Sequence, residues 1–153
     1  MGKQTMHTEY YKDETPCECD EMERLYYESE ALMRELPYAN GKKHGIEKQY
    51  YESGALEWEV PYANGKMHGI MKYYYYTGGL SEELPYVNGE KHGTSRWFYR
   101  SGALKRVTVY ATGKKRGVAN WYQESGALVV FPMGTLNPED SCPMNGCPTE
   151  NFV

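Results

Sequence analysis

A 24-residue block recurs through this chain with no insertion between copies. Leu32, Leu56, Leu80, Leu104 and Leu128 stand 24 apart, as do Tyr38, Tyr62, Tyr86 and Tyr110, and Gly45, Gly69, Gly93 and Gly117. A fixed short period restricts a chain to a stacked, quasi-one-dimensional array, in which each unit buries its apolar face against its neighbours. Such an array argues against a conventional enzyme pocket.

Each unit alternates two short segments with two turns. In the second unit the segments are residues 46–51 and 55–62. Ser53-Gly54 forms one turn, and Asn64-Gly65 with Gly69 forms the other. Glycine supplies the positive φ of a hairpin turn at low steric cost. Aromatic-rich segments of this length are too short for a helix pair and suit strands. Each unit is therefore a β-hairpin. The expected fold is all-β, an extended antiparallel meander of tandem hairpins with about ten strands.

The units are 22–45, 46–69, 70–93, 94–117 and a half-length 118–132. Residues 1–21 are an acidic N-terminal segment or cap, and 22–132 are the five-unit array. Residues 133–153 are polar, rich in Pro and aperiodic, and read as a loose tail. Pro37, Pro61 and Pro85 cannot donate to a ladder, so each is expected to end regular pairing just before the following Tyr. A two-residue Ser53-Gly54 loop sets Lys48 opposite Glu59 and Lys72 opposite Glu83. A bulge at Gly54 shifts that register by one and exchanges the faces.

The stretch GIEKQYYESGALEWEVPYANGKMHG resembles a MORN-type repeat of the variant found in bacterial YwqK-like proteins. It carries that variant's Tyr-Tyr-x-x-Gly-x-Leu core and Tyr-x-Asn-Gly-x-x-x-Gly turn, and the resemblance covers residues 22–132. It implies a β-meander of hairpins and a non-enzymatic role, as an antitoxin or immunity protein, or as a scaffold or lipid-contact module. The chain departs from the frame at Glu30, where Gly is expected, at Thr77-Gly78-Gly79, and at Ala111-Thr112-Gly113 in place of x-Asn-Gly. These departures fall in turns.

Sixteen Tyr against three Phe suit half-wet pleated surfaces, where the ring packs and the hydroxyl stays solvated. No apolar run approaches the roughly 20 residues a membrane helix needs, so no transmembrane segment is expected. The N-terminus lacks an apolar signal core, and Met6 breaks the myristoylation pattern at Gly2. A cytoplasmic location is the default expectation. Cys17 and Cys19 lie at one end of the array and Cys142 and Cys147 at the other. Reduced, unligated thiols are expected, with zinc or redox chemistry possible only where both tails fold back.

Columns that stay constant from unit to unit are scaffold: the Leu column, Tyr26/Tyr50/Tyr74/Phe98/Tyr122, the Tyr38 column and the turn glycines. Local function belongs where units differ. One variable column is Leu25, Gln49, Tyr73, Trp97 and Trp121, and another is Arg34, Trp58, Glu82, Arg106 and Val130. These columns either form an exposed aromatic surface for a partner or simply cover one sheet face.

Charge varies most. The fourth unit carries Arg96, Arg100, Lys105, Arg106, Lys114, Lys115 and Arg116 with no acid, a net +7, while residues 1–23 carry −5 and 133–153 carry −3. Interleaved with Trp97, Phe98 and Tyr99, this block suits an acidic protein, nucleic acid or anionic lipid. Acidic tails folded onto it, or solvent, are the structural alternative. The candidate partner-binding residues are Trp58, Tyr73, Arg96, Trp97, Tyr99, Arg100, Arg106, Lys114, Lys115, Arg116 and Trp121.

His44, His68 and His92 recur in the turns. Equivalent positions are two strands apart, roughly 9–10 Å, too far to share one metal ion without bending. No catalytic constellation, cofactor motif or metal set stands out. The leading expectation is a non-enzymatic scaffold of the antitoxin or immunity type, which neutralises a protein partner such as a toxin through an open sheet face. The alternatives are a lipid- or nucleic-acid-contacting module and a spacer or self-assembling array.

Overall fold

The computed structural model describes residues 9–11 and 21–130. The expected tail at 133–153 and all four cysteines lie outside these residues. The described chain is one antiparallel sheet of fourteen strands with no helix. β1 (Glu9–Tyr11) lies on one edge. β2 (Glu21–Tyr26) and β3 (Leu32–Ala39) form the first hairpin. β4 (Lys42–Lys43), β5 (Gly45–Tyr50) and β6 (Leu56–Ala63) form the second. β7 (Lys66–Met67), β8 (Gly69–Tyr74) and β9 (Leu80–Val87) form the third, and β10 (Glu90–Lys91), β11 (Gly93–Phe98) and β12 (Leu104–Ala111) the fourth. β13 (Lys114–Tyr122) and β14 (Leu128–Val129) close the array. The two-residue strands β4, β7 and β10 pair only with β3, β6 and β9, and a single histidine parts each from the strand that follows, so the meander path holds eleven strands.

The Ser-Gly turn is longer than a two-residue loop. Gly54 N donates to Tyr51 O at 2.8 Å and Tyr51 N to Ala55 O at 2.8 Å, with Gly54 at φ 84°. That is a three-residue loop closed by a left-handed glycine. It shifts the pairing by one at the tip, but Glu57 then bulges out and shifts it back. The two changes cancel, so Lys48 opposes Glu59 and Lys72 opposes Glu83. Asn64 (φ 51°) and Gly65 (φ 81°) make a two-residue turn with both residues left-handed, which matches the right-handed twist of the flanking strands.

The prolines do not end their own strands. β6 runs straight through Pro61, which pairs with Ile46 inside its own hairpin. What breaks is the strand of the next unit. β7 and β8 are separated at His68, whose N donates to Pro61 O at 2.9 Å. Gly69 then passes over the proline ring at φ +120°, where a Cβ would come within 2.8 Å of Pro61 Cγ. Proline and glycine columns are thus one steric pair.

Two ladders tie unit to unit. Along one edge, Gly65 N, Gly89 N and Gly113 N donate to Lys43 O, Met67 O and Lys91 O at 2.8–3.0 Å. Along the other, the Tyr27, Tyr51, Tyr75 and Tyr99 hydroxyls donate to the Tyr50, Tyr74, Phe98 and Tyr122 carbonyls at 2.6–3.1 Å. Each such bond contributes about 1 kcal/mol. In a one-dimensional array these contacts between neighbours are the cooperativity.

The two faces of the sheet differ. One buries Leu36, Val60, Leu84 and Thr108, each opposite Glu23, Glu47, Met71 or Ser95. The Tyr38 column flanks this row on one side. The other face leaves Ile46 and Ile70 about half exposed.

Candidate protein-binding surface

The two variable columns merge into a single row. Pairing places Leu25 beside Arg34, then Gln49, Trp58, Tyr73, Glu82, Trp97, Arg106 and Trp121 in successive strands. Neighbouring strands in a sheet are about 4.8 Å apart, so nine strands place these side chains in one continuous file. The row lies on the buried-core face and flanks it on the side opposite the Tyr38 column. Val130 does not take the last place. The fifth unit lacks the bulge found in the other four, so Val129 pairs with Trp121.

The row is held by its own contacts. Arg34 Nε donates to Gln49 Oε1 at 2.6 Å, and its guanidinium lies 5.2 Å from the Trp58 ring centre. Arg106 lies 3.4 Å from the Trp97 ring centre and 5.2 Å from that of Trp121. A guanidinium between two indoles is fixed in place, and such contacts contribute up to about 2 kcal/mol when desolvated. Burial pushes the Arg106 pKa down, against the pull of Tyr110 and Glu82. Trp97, Arg106 and Trp121, with Glu82, Lys105 and Tyr75, line an open groove of about 440 Å³. The Trp121 indole nitrogen is buried beside it with no hydrogen-bond partner among the described residues.

Beside Trp58 the same face holds a buried carboxylate. Glu47 is 3% exposed, 2.8 Å from Lys43 Nζ and 3.8 Å from Arg34 Nη1. Tyr62 also bonds to it, and its hydroxyl is pushed up to about 12, first by burial and then by the Glu47 charge.

The opposite face carries a charge ladder. Arg24, Glu35, Lys48, Glu59, Lys72, Glu83 and Arg96 stand opposite one another in successive strands, alternating in sign. Lys72 reaches Glu59 at 2.9 Å and Arg96 reaches Glu83 at 3.6 Å, so these pairs join adjacent units. Tyr74 also donates to Glu59 at 3.0 Å. Burial acts to raise the Glu59 pKa, but the Lys72 and Tyr74 hydrogen bonds outweigh it and hold the carboxyl below its usual range.

Of the residues singled out in the sequence, Trp58, Tyr73, Trp97, Arg106 and Trp121 share the row. Arg96 lies on the opposite face, in the ladder. Tyr99 and Arg100 sit at the Ser-Gly edge, where Arg100 lies 5.7 Å from the Tyr75 ring centre. Lys114, Lys115 and Arg116 are exposed at the other edge. The +7 block is therefore spread over two faces and two edges. Of the Tyr27/Tyr51/Tyr75/Tyr99 column only Tyr99 was singled out, and as a partner contact, whereas the column's hydroxyls link the units. Its signal was present, because it ends at Gln123, in the unit after which no further described hairpin follows.

Among the described residues no group of three or more His, Cys, Asp or Glu is gathered to hold a metal ion, and no helix is long and apolar enough to cross a membrane. His92 Nδ1 lies 3.5 Å from the backbone N of Thr112, a turn contact.

No curated protein matches the sequence. Among solved structures, the chain is similar to Staphylococcus aureus TarM, crystallised in complex with fondaparinux, alpha-GlcNAc-glycerol and UDP. The TM-score is 0.45 at 13% identity, over 71% of this chain and 20% of that one. At that level the likeness carries no inference for this protein. The sequence pattern of the MORN repeat variant family matches residues 43–66, 67–88 and 91–114. These three matches fall on successive hairpins of the described sheet, and they support a MORN-repeat protein.

Proposed function

We propose that this chain is a non-enzymatic scaffold that binds a partner protein on the Trp58–Trp121 row, most concretely as an antitoxin or immunity protein that neutralises that partner. The observation that supports it is the row itself. In it residue type changes from unit to unit, from Gln49 to Tyr73 to Trp97 and from Trp58 to Glu82 to Arg106, while the tyrosine, leucine and turn-glycine columns around it repeat. It also concentrates Trp, Tyr and Arg, the side chains that dominate protein interfaces. A pre-ordered row costs little entropy on binding, because its side chains are already held by one another.

The lipid and nucleic-acid reading has less support. Phosphate recognition draws on cations gathered on one surface. Here Arg96 pairs with Glu83 on the far face and Arg106 lies half-buried between indoles, so the basic residues are divided.

The test is capture from native lysate with the full chain as bait, washed at low and high salt. A single stoichiometric protein should persist at high salt and be absent when Trp97→Ala and Trp121→Ala are introduced together. Nucleic acid or lipid eluting as salt rises, with no such protein, would sink the reading.

A further inference from the structure

The row carries three charged side chains, and the sheet partners two of them. Arg34 bonds to Gln49 and lies over Trp58, and Arg106 lies between Trp97 and Trp121. Glu82 is the third. It is half-buried, and no hydrogen bond or ion pair reaches its carboxylate from any described residue. Other carboxylates of the sheet differ. Glu47 on the same face is held by Lys43, and Glu35, Glu59 and Glu83 on the opposite face pair with Arg24, Lys72 and Arg96. Arg106 stands two strands from Glu82, roughly 10 Å by the strand spacing, with Trp97 on the strand between. Covering such a carboxylate is costly unless whatever covers it brings a partner charge.

The surroundings of Glu82 suit a cation. Tyr73 stands directly opposite it on β8, and Trp97 directly opposite it on β11. Glu82, Tyr75 and Trp97 line the same open groove of about 440 Å³. Aromatic faces attract a cation through the ring quadrupole, and the carboxylate adds charge and acceptors. Lys105 and Arg106 also line the groove, from β12, but each is drawn to a ring, Lys105 to Tyr99 at 5.5 Å and Arg106 to Trp97. The Tyr73 hydroxyl is pushed up, first by burial and then by the Glu82 charge. The column holding Glu82 carries Arg34 in the first unit and Arg106 in the fourth. Those units supply their own guanidinium to an indole of the row, whereas the third unit places a carboxylate there.

We propose that the partner protein anchors on the row with an arginine side chain, whose guanidinium enters the groove beside Trp97 and pairs with the Glu82 carboxylate. Arginine suits the place better than lysine. Its planar fork matches a carboxylate and stacks on a ring, as the chain's own Arg34 and Arg106 do. A carboxylate or phosphate brought to the same place meets Glu82 as a like charge. The inference rests on the reading of the row as a binding surface, and it names the charge the partner brings to it.

Panning a library of random peptides against the immobilised full chain tests it. Row-binding peptides are those lost when Trp97→Ala and Trp121→Ala are introduced together. They should carry an arginine, and replacing it with glutamine should weaken binding at least about tenfold. Glu82→Gln should weaken the same peptides by a similar factor, whereas Glu83→Gln on the opposite face should leave them within about twofold. Glu82→Arg should bind a peptide whose arginine is replaced by glutamate, which also shows that the variant folds. Row-binding peptides without arginine, or peptides that bind Glu82→Gln as tightly as the wild type, would overturn the proposal and leave the row reading standing. A library that yields no row-binding peptide would overturn both.

Discussion

The two faces of this sheet are built from the same strands by different rules. On the ladder face, residues alternate in sign across seven strands, from Arg24 to Arg96, and the charges find partners within the sheet. On the row face, Gln49, Tyr73 and Trp97 take the same place in successive units. A self-satisfied repeating pattern holds units together and distinguishes nothing. A pattern that changes from strand to strand can distinguish a partner. Stability therefore draws on the ladder face, the edges and the buried Leu36, Val60 and Leu84 beside the row, whereas the row itself is the surface we propose for recognition.

The largest expected effect lies on the row. Trp97→Ala should weaken partner binding by about 2–4 kcal/mol, because a half-buried aromatic anchor and the seat of Arg106 are lost together. Calorimetric titration of the captured partner reads this directly. On the ladder face, Glu59→Ala should cost about 2 kcal/mol of stability in urea unfolding, since it strands Lys72 and the Tyr74 hydroxyl. Partner affinity should stay within twofold. A ladder variant that loses binding while remaining folded would break the division between the faces.

Titration sharpens the same contrast. Tyr50 and Tyr62 are both raised from 10.0 to about 12. Burial is the first cause in each case, followed by Glu35 for Tyr50 and Glu47 for Tyr62. A raised tyrosine favours the protonated, folded form, so its contribution is whole below pH 10 and fades as pH rises through about 12. The depressed Glu59 works in the opposite direction, and its contribution fades as pH falls through the lowered pKa. Chemical denaturation across pH should show losses at both ends. Tyr62→Phe should blunt the alkaline loss, and Glu59→Gln the acid one.

The edges supply smaller effects. Tyr51→Phe should cost about 1 kcal/mol by removing one link between units. Glu30 occupies, at φ 64°, the left-handed turn position that Gly54, Gly78, Gly102 and Gly126 hold in the other units. Glu30→Gly should therefore raise stability by about 1 kcal/mol in the same assay.

Much of this was legible in the sequence. The exact 24-residue spacing of leucines, tyrosines and glycines gives the hairpin array, because side-chain periodicity and turn chemistry point the same way. The variable columns were readable too, but not that they interleave into one row. That depends on register, which here rests on two opposed irregularities, the Gly54 loop and the Glu57 bulge. Nothing local announces that they cancel. The basic fourth unit misled for a related reason. Consecutive residues such as Arg96 and Trp97 point to opposite faces, so charge close in sequence is divided in space.

The most direct measurement is a paired calorimetric titration of the captured partner against two full-length variants. One carries Trp97→Ala and Trp121→Ala, the other Lys48→Ala and Lys72→Ala, each checked for folding by circular dichroism. The row variant should lose at least about a hundredfold in affinity, and the ladder variant should bind within about twofold of wild type. Unchanged binding by the row variant, or loss confined to the ladder variant, would contradict the assignment of recognition to the row.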